Sequence, residues 1–101
     1  MNLKKQTKKY LDFVRSNGCI VCGSFGVDAD HLKARGMGGS GVKGRTHSGT
    51  LQDFSCVPLC RMHHTERHSL SNRDFEDKYR VNLWEEAFSL VRDFMYDEFI
   101  E

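Results

Sequence analysis

Two short cysteine-bearing repeats constrain this chain before anything else does. Cys19-x-x-Cys22 is followed, after 37 intervening residues, by Cys60-x-x-His63. Two knuckles of like spacing suit one tetrahedral ion, and thiolates joined by an imidazole suit zinc, a borderline cation without redox chemistry. One choice stays open: Cys56 can replace His63 as the fourth ligand. His63 is preferred because Cys56-x3-Cys60 straddles Pro58, the single proline, and breaks the knuckle spacing. Cys56 then reads as an ordinary buried thiol. At 101 residues the chain is one small domain, residues 1–101, of a size at which a structural metal supplements a limited core.

Composition narrows the setting. Hydrophobic content of 39% is that of a globular protein, and no apolar run approaches the ~20 residues of a membrane span. The first nine residues, Met1 to Lys9, lack the apolar core of a signal peptide, which implies a cytoplasmic protein. In a reducing compartment the four cysteines read as ligands or buried thiols rather than disulfides. Net charge is only +1, yet it is unevenly spread. Residues 1–50 carry nine Lys/Arg against three Asp/Glu; residues 51–101 carry six against eleven. A basic half therefore precedes an acidic half.

Periodicity then divides the domain into a leading helix (1–18), a metal-bearing core (19–69) and trailing helices (70–101). Within residues 3–16, Leu3, Thr7, Tyr10, Leu11 and Val14 share one helical face, with Lys4, Lys5, Lys8 and Lys9 mostly off it. Gly18 is the expected stop, and Gly23 relieves the backbone after the first knuckle. Residues 27–32 suit a short strand ending in Asp30-His31. Residues 35–50 hold six of the nine glycines and read as a long loop. Cys56 to Leu59 is extended, and Pro58 makes it an edge strand. A helix is expected over Arg61–Ser69, with Ser71 or Asn72 capping the next, where Phe75 and Tyr79 lie four apart. Asn82 and Glu85 resemble a capping pair opening the last helix. Its predicted core stripe is Trp84, Phe88, Val91 and Met95, widened by Leu83, Ala87, Leu90 and Phe94. The fold class is α+β, with surface left on the last helix for a twin subunit.

A second set of ligand-type residues remains. His64 and His68 are four apart, hence on one face of the expected helix. Asp30 and His31 are neighbours in a strand, so their side chains point to opposite sides and both do not easily reach one ion. Asp30, His64 and His68 give a two-histidine, one-carboxylate set with open positions. His31 is then placed to take a proton from an attacking water. A zincin-type protease is excluded, because it needs glutamate directly after the first histidine. Here Glu66 follows His64 by two positions, roughly 200° round a 3.6-residue helix.

Cys19-x-x-Cys22, Asp30-His31, Pro58-Leu59-Cys60-x-x-His63-His64 and His68 together resemble the HNH, or ββα-metal, endonucleases. The likeness is greatest to small phage and prophage members with a zinc-stapled core. It covers about residues 19–68 and lies in order and spacing. The resemblance implies His31 as general base, Asp30, His64 and His68 as holders of the catalytic divalent ion, and products with 5′-phosphate and 3′-hydroxyl ends. One departure stands out: the middle asparagine of the motif, expected five residues before Cys60, is Ser55, with Asp53 a candidate for its bracing role.

These readings imply a metal-dependent DNA endonuclease with a structural Zn²⁺. Two imidazoles in the catalytic set admit Mn²⁺, Ni²⁺ or Zn²⁺ as well as Mg²⁺. Lys33, Arg35, Lys43 and Arg45 flank or lie within the glycine-rich loop and are the expected DNA-backbone contacts. The lysines of the first helix could extend that track. No base-reading helix is evident, so sequence preference should be weak. An alternative of another class is a zinc-stabilised DNA-binding or packaging module that does not cut, and an RNA-directed nuclease is a third.

Overall fold

Register between two short strands organises this α+β domain. The computed structural model describes residues 2–32 and 51–99. In order these form helix α1 (Leu3–Arg15), strand β1 (Asp28–His31), a 3-10 turn (Leu51–Phe54), strand β2 (Cys56–Leu59) and helices α2 (Arg61–Ser69), α3 (Asn72–Tyr79) and α4 (Leu83–Phe99). The loop cations Lys33, Arg35, Lys43 and Arg45 lie outside the described residues.

The strands pair antiparallel, with Asp28 opposite Leu59, Ala29 opposite Pro58, Asp30 opposite Val57 and His31 opposite Cys56. Directly opposed residues share a face, so Asp28 and Asp30 stand with Val57 and Leu59, while Ala29 and His31 stand with Cys56. Each face carries its own core. Val57 and Leu59 pack with Cys19, Val27, Leu32, Phe75, Leu83 and Ala87. On the other side Cys56 packs with Tyr10, Leu11, Val14, Leu90 and Phe94. β2 is buried along its whole length because helices cover both faces.

Local chemistry fixes the helix ends. Asn2 Oδ1 accepts the Lys5 N–H at 3.2 Å, capping α1. Ser71, rather than Asn72, caps α3 by accepting the Asp74 N–H at 3.0 Å. Asn82 Oδ1 accepts from Glu85 N at 3.0 Å, the expected opening of α4. α1 ends at Arg15, three residues before Gly18. Gly18 serves another purpose: a Cβ there would meet the Gly23 carbonyl oxygen at 2.7 Å, so the turn closes only over glycine. Gly23 itself has φ +78°, the left-handed conformation that glycine adopts without strain.

The core face of α4 differs from expectation. Leu83, Ala87, Leu90 and Phe94 are the buried residues. Trp84, Phe88 and Met95 are exposed, Phe88 at 68%. The proposed margin, not the stripe, faces the sheet, except that Val91 of the stripe packs part-buried against the Cys56 cluster. Leu3, assigned to the buried face of α1, is also partly exposed at 38%, whereas Thr7, Tyr10, Leu11 and Val14 are buried. Among the described residues no helix is long and apolar enough to cross a membrane.

This difference has a measurable consequence. Leu83→Ala should cost about 2–5 kcal/mol, as truncation of a fully buried leucine does. Phe88→Ala should stay within about 0.5 kcal/mol, as exposed substitutions do. Urea unfolding of the two variants separates them; equal losses would restore the aromatic stripe to the core.

Candidate functional site

Cys19 and Cys22 come from a turn that the backbone closes on itself. Gly23 N–H donates to the Cys19 carbonyl at 2.8 Å, Cys19 N–H to the Ser24 carbonyl at 2.9 Å, and Val21 N–H points at Cys19 Sγ at 3.4 Å. Ile20 N–H donates to the Pro58 carbonyl at 3.1 Å, pinning the turn beside the end of β2. Cys60 precedes α2 and His63 lies in its first turn. The result brings Cys19, Cys22, Cys60 and His63 together, with donor atoms within 4.8 Å of one another. Cys60 Sγ is 3.2 Å and Cys19 Sγ 3.7 Å from His63 Nδ1, and Cys22 Sγ is 3.8 Å from Cys60 Sγ. A tetrahedron built on zinc–sulfur bonds of about 2.3 Å has edges of about 3.8 Å, so this donor set fits zinc.

Thiol acidity separates the ligand cysteines from the fourth. Hydrogen bonds from Ser24, whose Oγ lies 3.2 Å away, pull the Cys22 thiol down to about 6, so a thiolate is at hand near neutral pH. At Cys60 the His63 N–H favours the thiolate, but burial and the adjacent Cys22 and Cys19 sulfurs outweigh it and hold the thiol up. Cys56 points into the α1–α4 core. Burial, then Asp53 and Asp30, push its thiol up to about 12. Cys56 is thus the inert thiol and His63 the fourth donor.

The second set also converges. Asp30 Oδ1 lies 3.2 Å from His68 Nε2 and 3.5 Å from His64 Nε2, and the three could hold one ion. Asp30 is 1% exposed, whereas His64 and Thr65 with His68 line a shallow depression open to solvent. His64 uses its other nitrogen, Nδ1, on Asp28 Oδ2 at 2.8 Å. This is the carboxylate–histidine arrangement that fixes ring orientation at metal sites. His31 stands on the opposite face of β1, with Nε2 2.7 Å from Asp53 Oδ1. It is not part of the Asp30 cluster.

Three participants carry no motif signal. Asp28 shares the face of Asp30 by strand alternation, which the sequence could have shown. Arg67 is buried in α2 and grips both oxygens of Asp30: Nε donates to Oδ2, and Nη2 to Oδ1 at 2.8 Å. Its Nη1 donates to Asn72 Oδ1 at 2.7 Å. Asp53 is fully buried, and its Oδ1 lies against Nε2 of His31. Ser55, in the expected asparagine position, instead ties the chain together. Its hydroxyl donates to Gln52 O at 2.8 Å and reaches Leu32 O at 3.4 Å, while its carbonyl accepts from Leu32 N at 2.8 Å.

Glu66 turns to α3 rather than joining the Asp30 cluster, as expected of a residue that is not a protease base. It binds the Tyr79 hydroxyl and Lys78 Nζ of α3, and Tyr79 packs edge-on against His63 with centroids 5.2 Å apart. Of the α1 lysines, Lys8 pairs with Asp12 at 3.1 Å and Lys9 with Glu98 at 2.6 Å. Lys4 and Lys5 are exposed.

Fold and site together define a small α+β domain with a Cys₃His cluster that could bind a metal such as zinc. A family model described as "Protein of unknown function (DUF968)" matches residues 2–93, and the chain belongs to that family. It is 39% identical over 76 residues to "Uncharacterized protein YdfU" of Escherichia coli (strain K12). The match takes in 75% of this chain and 20% of that relative, so the chain spans about a fifth of the relative's length. No solved structure matches.

Two outcomes test the site. Cys19→Ser should lose bound zinc and the cooperative fold together, since metal binding is part of folding free energy; Cys56→Ser should keep one zinc per chain by elemental analysis. A folded, metal-free Cys19→Ser protein would remove the stapled-core account. Separately, the Lys78 and Tyr79 hydrogen bonds hold the Glu66 carboxyl below its usual range. Its contribution is complete above about pH 4.3 and is lost as acid titrates the folded carboxyl. Lys78 is held up by Glu66, so the clamp fails at the alkaline end as pH rises through that raised value. Glu66→Gln should therefore lower Tm at neutral pH, and the gap from the parent should close in acid.

Proposed function

We propose that this domain is an HNH-type, metal-dependent endonuclease that hydrolyses phosphodiester bonds in DNA. The observation that carries the reading is the division of labour across β1: Asp30 converges with His64 and His68 on one face, while the adjacent His31 is braced separately by Asp53. The strand–strand–helix order and the Cys₃His cluster beside it support the same assignment.

Asp30, His64 and His68 would hold a divalent ion, which when bound stabilises negative charge on the phosphate and the departing 3′ oxygen. Mg²⁺, Mn²⁺, Ni²⁺ and Zn²⁺ are the candidates. Asp28 keeps His64 in the orientation that presents Nε2 to the ion. Asp53 Oδ1 lies 2.7 Å from Nε2 of His31 and holds the imidazole in place for that role. His31 takes the proton from water as the water oxygen bonds to phosphorus. The phosphorus–O3′ bond breaks, and the 3′ oxygen is protonated from solvent. Depth favours this arrangement: Asp30 is buried, whereas His64 and His68 border solvent, where a phosphate can approach. Backbone recognition with weak sequence preference follows from the absence, among the described helices, of one built to read bases.

Zinc-retaining protein stripped of its second ion should nick or cut supercoiled, linear or branched DNA only when a divalent ion is restored. His31→Ala should lower cleavage by about 10²-fold or more, the contribution typical of a general base, with zinc content, melting and DNA affinity near those of the parent. Normal cutting by His31→Ala would remove His31 as base. DNA binding without cleavage under every ion would favour the non-cutting accessory module, and cleavage confined to RNA would change the substrate.

A further inference from the structure

We propose that Arg67 sets which divalent ion the Asp30–His64–His68 cluster accepts, acting as a built-in countercharge that limits the carboxylate's share of the bonding. The inference rests on the reading of that cluster as an ion site.

Arg67 is buried, and its guanidinium spends three of its nitrogens on fixed acceptors. Nε and Nη2 take the two oxygens of Asp30, and Nη1 takes Asn72 Oδ1. Nη2 also lies 3.4 Å from His68 Nε2, so the cation borders the donor triangle itself. Asp30 is 1% exposed, and a carboxylate at that depth without a partner would be strongly disfavoured. Arg67 removes that difficulty before any ion arrives. The carboxylate of the second site is therefore held in place before an ion binds.

The same grip restricts what Asp30 can give. With Oδ2 committed to Nε, the carboxylate offers an ion Oδ1 alone, and Oδ1 already accepts from Nη2 at 2.8 Å. An ion entering here gains two imidazoles in full and one carboxylate oxygen whose charge is partly neutralised. A fixed cation a few ångströms away opposes it. Hard ions such as Mg²⁺ and Mn²⁺ bind chiefly through carboxylate charge and suffer most. Ni²⁺ and Zn²⁺ draw more of their affinity from imidazole and suffer least. Asp28 does not reverse this balance, because its Oδ2 is shared between His64 Nδ1 at 2.8 Å and Arg61 Nε at 3.4 Å.

The test is calorimetric titration of zinc-retaining protein with MnCl₂ and with NiCl₂, for the parent, Arg67→Met and Arg67→Lys. Outer-shell changes at metal sites typically move affinity about 10–100-fold. Arg67→Met should tighten Mn²⁺ by about tenfold and Ni²⁺ clearly less, so the Ni²⁺ preference narrows. Arg67→Lys, which keeps the charge, should hold the parental preference. Mn²⁺ should also raise the Tm of Arg67→Met more than that of the parent. Should Arg67→Met fail to fold without metal, Arg67→Gln keeps a donor for Asp30 without the charge and gives the same comparison. An unchanged Ni²⁺-to-Mn²⁺ ratio in the uncharged variants, or an equal change in Arg67→Lys, would overturn the proposal. A parent that takes up no ion beyond its zinc would instead remove the underlying site.

Discussion

Pairing of β1 with β2 in a single register is the constraint on which the rest of the molecule depends. Side chains alternate along a strand, so the pairing of Asp30 with Val57 sends both aspartates of β1 toward α2 and sends His31 toward Asp53. A slip of one residue would exchange the two sets. Asp30 would then face the α1–α4 core, and His31 would lie among the ions' ligands. Register is held by what each face buries: Val57 and Leu59 on one side, Cys56 on the other. Four residue pairs make a weak sheet by themselves. The helices packed on both faces make it specific.

The cysteine cluster completes what so small a core leaves undone. It brings a turn near residue 20 to the start of α2, two segments far apart in sequence, at the end of the sheet where Cys60 is the N-cap of α2. A metal bound there would add its binding energy to that of folding. The clamp of Glu66 on Lys78 and Tyr79 adds α3 to this unit and sets Tyr79 against the His63 ring. One ligand is thereby oriented from behind by a neighbouring helix.

Much of this was legible in the residues. The bounds of α2 follow from the knuckle before it and the Ser71-Asn72 cap signal after it, and spacing gives the paired knuckles and the His64–His68 face. The division of Asp30 from His31 follows from strand alternation. What could not be read is what depends on packing angle and on unmatched partners. The roll of α4 is one case: Trp84 and Phe88 outweigh Leu83 and Ala87 in hydrophobicity, yet the small alanine is what lets the helix approach β2. Arg67 is another. An arginine in a polar helical run reads as solvated, and only the tertiary structure shows it buried against a carboxylate 37 positions away. Asp53 is a third: that it stands against the imidazole of His31, 22 positions away, had no signal in the residues.

Ser55 has a consequence that reaches beyond its own three contacts. By fastening Leu32 to the threshold of β2, it makes the exit from one strand and the entrance to the next a single knot. These bonds close the span between the strands outside the ladder itself. Lengthening or shortening of the segment through descent is then mechanically silent for the pairing beneath it, because closure entropy grows only slowly with span.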